Sequence, residues 1–455
     1  MCGIIGIFDH ENAAELAMLG LFAEQHRGQE SCGMAVIDGK TIRLRKKMGL
    51  VKDVFTDNKI HKLIGKTAIG HVRYPTRGSS AVYNSQPHIV ETLSGPSYTL
   101  SSNGDIVNYS EIRKKLELEG VYFNSKNDGE LLLKYIVYFV EKKNYTIIDA
   151  IQKLMKNVKG AYSTVLATKT EMFMFRDPYG FRPMSYGKAK NGAIVVASES
   201  VALDILYMEW IKEVQPAQII NVNDNNVETI SINAKKIRKT DNFKHCIFEH
   251  IYFSRPDSYI FGENVYQIRK NIGSLLAKDD DVKPDVVVPV PDSSNFIAWG
   301  YADTKNVPYE MGLIRNHYVG RTFIKPEQTI RDESVYHKFN PLPNFFKNKE
   351  VVLIDDSIVR GATLKKIVKL VRNAGAKKIH VRIGSPMVKN SCFYGIDTPT
   401  NEELVANQKT VDDICAHIRA DSLKYISKEL LGRAVTKPKN FCYACFDGNY
   451  PILKD

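Results

Sequence analysis

Residues 350–383 admit few folds. Val351-Val352-Leu353-Ile354 is apolar without polar alternation, so a strand here must be covered on both faces. It runs directly into Asp355-Asp356-Ser357-Ile358-Val359-Arg360-Gly361-Ala362-Thr363. A helical stretch, Thr363–Ala374, follows, with Leu364, Ile367, Val368 and Val371 on one face. Gly375 is a helix stop, and Lys378–Ile383 reads as the next strand. Strand, helix, strand with buried strands implies a parallel sheet with a right-handed crossover. Asp285–Val290 (DVVVPV) is a further apolar strand.

The loop between strand and helix has a chemistry of its own. In open α/β sheets ligands bind beyond the carboxyl ends of the strands, where Asp355 and Asp356 fall. A small-residue loop that opens a helix offers backbone N–H groups and a dipole to a phosphate. Two adjacent carboxylates suit ribose hydroxyls and a hydrated Mg²⁺, which takes few protein ligands. A generic strand–turn–helix with acidic loop residues would not need the order acid-acid-Ser-x-x-x-Gly-x-Thr.

The 455 residues exceed one ordinary core, and at roughly 150 residues per domain two or three domains are expected. With 44% hydrophobic and 25% charged residues, the chain is neither disordered, collagen-like nor a disulfide mini-domain. No uncharged apolar run approaches the roughly 20 residues of a membrane helix; the best, Leu131–Val140, contains Lys134. Ile4–Phe8 lacks the basic flank of a secretory signal and meets Asp9, His10 and Glu11 at once. A soluble, cytoplasmic protein with no membrane partner is expected.

Sixty-three basic against 51 acidic residues give a net charge of +12, which suits a polyphosphorylated small substrate, nucleic acid or simply a Lys-rich surface. The basic residues form no run of five or more, so no nucleic-acid arm and no nucleic-acid partner is expected. Seven cysteines do not make a disulfide scaffold here; the question is which are nucleophiles or metal ligands.

Residues 1 to 230 carry short Gly-punctuated strands, such as Gly3–Phe8, Gly33–Ile37 and Thr67–Val72, with helical periodicity at Glu130–Lys142 and Ile147–Val158. The polar, Asn- and Lys-rich residues 222–244 fit a boundary, giving expected domains of 2–235 and 236–455.

Cys2 follows the initiator Met, and small second residues favour that Met's removal. The freed α-amine, titrating near 7.7–8.0, can accept the thiol proton, so one residue supplies nucleophile and base. Cys2-Gly3-Ile4-Ile5-Gly6-Ile7 is followed by His26-Arg27-Gly28-Gln29-Glu30, Gly70-His71-Val72-Arg73-Tyr74-Pro75-Thr76, Asn103-Gly104 and Asp128-Gly129-Glu130. In this set and order, residues 2–230 resemble the class II (N-terminal nucleophile) glutamine amidotransferases. The resemblance implies an αββα sandwich in which Cys2 attacks the glutamine side-chain amide. It makes Asn103 (side chain) and Gly104 (backbone N–H) the oxyanion hole. Arg73 would take the glutamine α-carboxylate and Asp128 the α-ammonium, with Thr76, Arg27 and Gly28 lining the site. Gly129 stands where the family often has Ser, Asp or Thr. Arg176–Pro183 also matches and is expected at a structural or inter-domain position.

Residues 351–363 resemble the phosphate loop of the type I phosphoribosyltransferases, which implies a parallel sheet with flanking helices. On that resemblance Asp355, Asp356, Ser357, Ile358, Val359, Arg360, Gly361, Ala362 and Thr363 bind phosphoribosyl pyrophosphate. Ser293, in Val290-Pro291-Asp292-Ser293, joins Asp355 and Asp356 around Mg²⁺. Tyr318–Ile324, with Arg321, resembles a lid that closes over the sugar phosphate. Tyr336 replaces the Arg usual before Lys338. Cys442-x-x-Cys445 alone is a weak signal, and four thiolates suit a [4Fe–4S] cluster or zinc. With Cys246 and Cys392 it matches the cluster-carrying subset of the family, so the cluster is expected and zinc is the alternative. Cys32 and Cys415 are expected as core residues.

The two halves in this order resemble the amidophosphoribosyltransferases. That implies transfer of ammonia from glutamine to phosphoribosyl pyrophosphate, giving 5-phosphoribosylamine, glutamate and pyrophosphate, the first step of purine synthesis. It also implies purine nucleotide inhibitors and a homo-oligomer, expected as a tetramer. The rival readings are another class II amidotransferase and a phosphoribosyl pyrophosphate-sensing regulator. Nothing in Asp355–Thr363 suits an adenylate, sugar-isomerase or flavin site, and a regulator needs no N-terminal nucleophile.

Overall fold

Gly-punctuated runs of aliphatic and β-branched residues make the strands of the first half. They are β1 (Gly3–Phe8), β2 (Ser31–Ile37), β3 (Ile42–Met48), β4 (Thr67–Arg73), β5 (His88–Thr92), β6 (Gly95–Ile106) and β7 (Gly160–Ala167). Then come β8 (Met172–Arg176), β9 (Ser185–Lys188), β10 (Ile194–Ala197), β11 (Trp210–Glu213), β12 (Gln218–Asn223) and β13 (Asn226–Ser231). The structure is a computed structural model that describes all residues but 76, 224–225, 234, 239–240, 319–337 and 454–455.

These strands form two sheets, β11-β9-β10-β1-β4-β2-β3 and β13-β12-β8-β7-β6-β5. Side chains alternate across each pleat. Ile4, Ala35, Ile69 and Val196 of the first sheet meet Val165, Met172, Met174 and Ile220 of the second between the sheets. Ile5, Ile7, Met34 and Val36 point the other way, into a cluster with Ala13, Ala17 and Leu21 of helix Ala13–Ala23. The outer face of the second sheet, with Leu100, Tyr162, Phe173 and Phe175, packs with residues of helices Tyr109–Leu118, Asp128–Lys143 and Ile147–Asn157. The result is the αββα sandwich expected. Part of the polar stretch 222–244 is an ordered edge: β13 pairs with β12 and is largely exposed, which explains its lack of apolar periodicity.

The second half is built on four parallel strands in the order Val286–Pro289, Glu350–Asp355, Lys378–Ile383 and Ser422–Tyr425. Val287, Val352 and Ile354 cluster with Ile268, Ile272, Ile297 and Tyr301 of helices Val265–Lys278 and Asn295–Lys305. Val286, Val288, Val351 and Leu353 cluster with Leu364, Ile367, Val368 and Val371 of helix Ala362–Asn373. Both faces are therefore covered, as the uninterrupted apolar runs require, and each such side chain contributes about 1.5–3 kcal/mol on full burial. Among the described residues no helix is long and apolar enough to cross a membrane.

Arg176–Pro183 meets the second half. Cys246 N donates to Phe181 O at 3.1 Å, and Arg182 Nε donates to Tyr394 O at 2.9 Å. Cys32 is fully buried, but Cys415 is only half-buried; its Sγ lies 3.3 Å from Ala420 O at the end of a short surface helix, Val411–Ile418.

Candidate active sites

The pairing of β1 with β4 sets the nucleophile. Gly3 pairs with Val72 and Ile4 with His71, so Cys2 emerges beside Arg73 and Tyr74. Its Sγ is 3.5 Å from both Tyr74 O and Tyr74 N. Burial pushes the thiol up, while the terminal ammonium, the Tyr74 N–H and Arg73 oppose that rise. Met1 is fully buried and belongs to the apolar cluster of Ile247, Phe248 and Ile251 from the second half.

Asn103 and Gly104 lie on β6, opposite Ser163 and Tyr162 of β7, with β1 and β4 against the same strand. Asn103 is 1% exposed, yet its Nδ2 has no hydrogen-bond partner among the described residues. A buried unused donor costs about 1–3 kcal/mol, so it marks a place where an acceptor belongs during function.

Arg73 is fully buried and held from three sides. It donates to Glu30 Oε2 at 2.6 Å, to Arg77 O at 3.0 Å and to Ser79 O at 3.2 Å. Asp128 opens helix Asp128–Lys143, where the Asn127 side chain accepts from Gly129 N at 2.9 Å and stands 3.1 Å from His88 Nε2. Gly129 packs on Gln86: a Cβ there would stand 2.5 Å from Gln86 Oε1, so a larger residue would require the Gln86 side chain to move. Burial pushes Asp128 up to about 7, with the Asp105 carboxylate adding to the rise and Arg77 opposing it. Arg77 donates to Asp105 Oδ1 at 3.0 Å and lies over the Tyr109 ring.

The structure thus groups Cys2, Arg73, Asp128 and the Asn103–Gly104 strand. Arg27 and Gly28 stand behind them. Arg27 Nε donates to Cys2 O at 2.9 Å while its other nitrogens reach Glu199 and Glu249. Gly28 lies flat against the backbone of Val72 and Arg73. Thr76 lies outside the described residues. Glu30, Arg77, Asp105, Glu199 and Glu249 escaped the reading of the sequence. Glu30 sat inside the stretch 26–30 and Asp105 directly after Gly104, but no local signal marked Glu199 and Glu249 as partners of Arg27.

The second site lies at the carboxyl end of the strand Glu350–Asp355. Ser293 Oγ donates to Asp356 Oδ1 and Ser357 Oγ to Asp356 Oδ2, both at 2.6 Å, and Ser294 Oγ donates to Asp355 Oδ1 at 3.3 Å. Burial pushes both carboxyls up, and for Asp355 the neighbouring Asp356 adds to it. Neither is salt-bridged among the described residues, so the pair is a strong place for a cation. Gly361, at φ +77°, caps helix Ala362–Asn373, a turn that glycine makes without strain. Ile358 is buried, Val359 O accepts from Val405 N, and Arg360 pairs with Glu403 at 3.1 Å. Arg321 and Tyr336, with most of the expected lid, lie outside the described residues.

The four remaining cysteines converge from three distant segments. Cys246 pairs in parallel register with Cys442, and all seven cysteines of the chain are free. The charges of Cys246, Cys392 and Cys442 all act on Cys445, and Arg182 faces Cys246. Cys392 and Cys442 pack with Phe181 and Tyr394. Burial pushes Cys246 up to about 11 and raises Cys442 and Cys445 as well. Such thiols are inert unless a cationic centre draws off their protons.

A family model for a glutamine amidotransferase domain matches residues 80–204, and one for a phosphoribosyl transferase domain matches residues 262–398. Amidophosphoribosyltransferase 1 (chloroplastic) of Arabidopsis thaliana is 44% identical over 454 residues, spanning 99% of this chain and 78% of that protein. The amidophosphoribosyltransferase of Methanocaldococcus jannaschii is 42% identical over 465 residues, 99% of this chain and 98% of that one. A solved structure of glutamine phosphoribosylpyrophosphate amidotransferase from Bacillus subtilis, complexed with ADP and GMP, superposes with a TM-score of 0.90. It is 40% identical and covers 100% of this chain and 98% of its own.

Proposed function

The chain belongs to the amidophosphoribosyltransferase family, and from that premise we propose how its residues divide one reaction between two sites. The enzyme moves the amide nitrogen of glutamine to phosphoribosyl pyrophosphate in purine biosynthesis.

In the first half, with Met1 removed, the Cys2 α-amine takes the thiol proton and Sγ attacks the amide carbon. Asn103 Nδ2 and Gly104 N–H receive the oxyanion. The proton then goes to the leaving nitrogen, ammonia departs, and water resolves the thioester to glutamate. Arg73 holds the substrate carboxylate and Asp128 its ammonium. The observation that carries these roles is the buried Nδ2 of Asn103, without a hydrogen-bond partner among the described residues, in the site of a thiol whose pKa burial raises.

In the second half, ammonia displaces pyrophosphate from C1 of the phosphoribosyl group. The loop 357–361 and the start of helix Ala362–Asn373 offer N–H groups to the 5-phosphate. Asp355 and Asp356, backed by Ser293, are an oxygen donor set that fits Mg²⁺. That ion, when bound, supplies charge neutralisation for the leaving pyrophosphate. Positioning does the rest, because displacement at C1 asks little acid–base chemistry.

Cys246, Cys392, Cys442 and Cys445 are the proposed [4Fe–4S] ligands. Among the described residues no three His, Cys, Asp or Glu side chains are placed to share one ion. The contexts of Cys246, Cys392 and Cys442-x-x-Cys445, which resemble those of the cluster-carrying subset of the family, support the cluster over zinc. The cluster's role is that of a staple between segments far apart in sequence. The ADP and GMP held by the Bacillus subtilis relative support purine nucleotides as inhibitors of this chain too.

The test is the Cys2→Ala protein. It should lose glutamine-dependent pyrophosphate release and keep release with ammonium. Loss of both from folded protein would refute the division of labour.

A further inference from the structure

Gly395, in the second half, meets the first half at the backbone of Gly104. A Cβ on Gly395 would stand 2.9 Å from Gly104 C, 3.0 Å from its O and 3.1 Å from its Cα. On another side, a Cβ on Gly104 would stand 1.8 Å from Ala161 O. Gly104 is thus gripped between its own neighbouring strand and a segment of the other half, with no side chain as cushion.

That segment is tied down. Tyr394 O accepts from both Nε and Nη2 of Arg182, and the Tyr394 ring stacks on Phe181 at 4.3 Å. Tyr394 Oη donates to Ile452 O at 2.6 Å and accepts from Ile452 N at 3.0 Å. Tyr394 N donates to Cys392 Sγ at 3.3 Å, so whatever fixes that thiol fixes the same segment.

We propose that Gly395 is a positioning residue for the oxyanion hole, the point through which the second half sets the aim of the Gly104 N–H. The inference rests on Asn103 and Gly104 being that hole. An oxyanion donor works when it stands about 2.7–3.1 Å from the oxygen, so a displacement of a few tenths of an ångström in Gly104 weakens it. The glutaminase reaction therefore depends on a residue that the transferase reaction does not use.

The experiment uses the full-length, anaerobically purified protein. Glutamine hydrolysis and ammonium-dependent pyrophosphate release are measured beside binding of a glutamine analogue whose side-chain amide is an aldehyde. Cys2 adds to that aldehyde, and the resulting oxygen lies in the hole. For Gly395→Ala we expect kcat for hydrolysis to fall at least about tenfold, towards the 10²–10³-fold typical of a lost donor, with KM for glutamine within about threefold. Analogue affinity should fall in parallel, and ammonium-dependent release should hold.

Because alanine at φ +101° can disturb folding of the segment, Tyr394→Phe is the second variant. It keeps the ring stack and loses only the ties to Ile452, and analogue affinity should fall by a smaller factor. Unchanged analogue affinity in the folded variants, or an equal loss of ammonium-dependent release, would overturn the proposal. Asn103→Ala separates the two readings. If it leaves analogue affinity intact, the oxyanion assignment itself fails; if it lowers affinity while Gly395→Ala and Tyr394→Phe do not, only the role of Gly395 fails.

Discussion

Arg27 Nη2 donates to Glu249 Oε1 at 2.9 Å across 222 residues of sequence, with both side chains fully buried. The same guanidinium reaches Glu199 and, through Nε, the carbonyl of Cys2. Burial works to discharge Arg27, but Glu249 and Glu199 together hold it charged. The nucleophile's own backbone is therefore moored to a charge network that begins in the other half.

Removing one member of a buried ion pair typically costs about 3–5 kcal/mol, because the partner is left uncompensated. Glu249→Leu should lower stability by about that amount in urea denaturation. Glutamine-dependent turnover should fall more than ammonium-dependent turnover, since the lost charge supports the residue that holds Cys2. A stability change below about 1 kcal/mol would show that the mooring is not needed.

Asp128 gives a pH dependence with a definite sign. Its carboxyl moves from an ordinary 3.8 up to about 7 on folding, through burial first and Asp105 second. Only the ionised form can hold the glutamine ammonium, so KM for glutamine should rise as the pH falls. The rise should be roughly eightfold between about pH 7.5 and about pH 6. Asp105→Asn removes the like charge and should move that midpoint to lower pH; an unmoved profile would detach Asp128 from the ammonium. For stability, the folded chain binds this proton more tightly than the unfolded chain. The contribution is therefore full at acid pH and lost as the pH rises towards 7. Asp128→Asn should stabilise the protein at about pH 8 and change little at about pH 4.

The second site should be separable from the first. Asp355→Asn removes one of the two neighbouring carboxylates proposed to hold the cation. Pyrophosphate release should fall by about 10²-fold or more with either nitrogen source, the scale for losing one electrostatic stabiliser. Glutamine hydrolysis should survive. Its parallel loss would mean that the carboxylates hold the fold rather than the substrate.

Local order made most of these parts legible. Val351–Ile354 announced a covered strand and Leu364, Ile367, Val368 and Val371 a helix face, since each pattern is read within one element. Asp355 and Asp356 followed from where such a strand must end. Cys2 was legible as an N-terminal nucleophile and Asn103 through the resemblance of the ordered set of short strings that contains it. Contacts made between segments far apart in the sequence were not legible. Glu249 on Arg27, Glu30 on Arg73 and Gly395 on Gly104 are chosen by tertiary packing, and nothing within a few residues of either partner encodes the pairing. The polar edge strand β13 was also missed, because an exposed strand needs no apolar alternation.

The four converging thiols set the last prediction. Cys246 and Cys442 stand opposite each other in a two-residue parallel bridge, His245–Cys246 with Phe441–Cys442, too short to persist on its own hydrogen bonds. Lys389 N and Asn390 N both donate to Cys445 O, which brings the 389–392 segment to the same place. A bound cluster would join all three segments, so protein purified without oxygen should hold about four iron and four sulfide per chain. Cys442→Ser should lose that iron and lower the midpoint of thermal unfolding. Cys415→Ser should do neither, because the Cys415 sulfur, 3.3 Å from Ala420 O on a half-buried helix end, is not among the proposed ligands. Stoichiometric zinc in place of iron and sulfide would instead assign the four thiolates to a single tetrahedral ion.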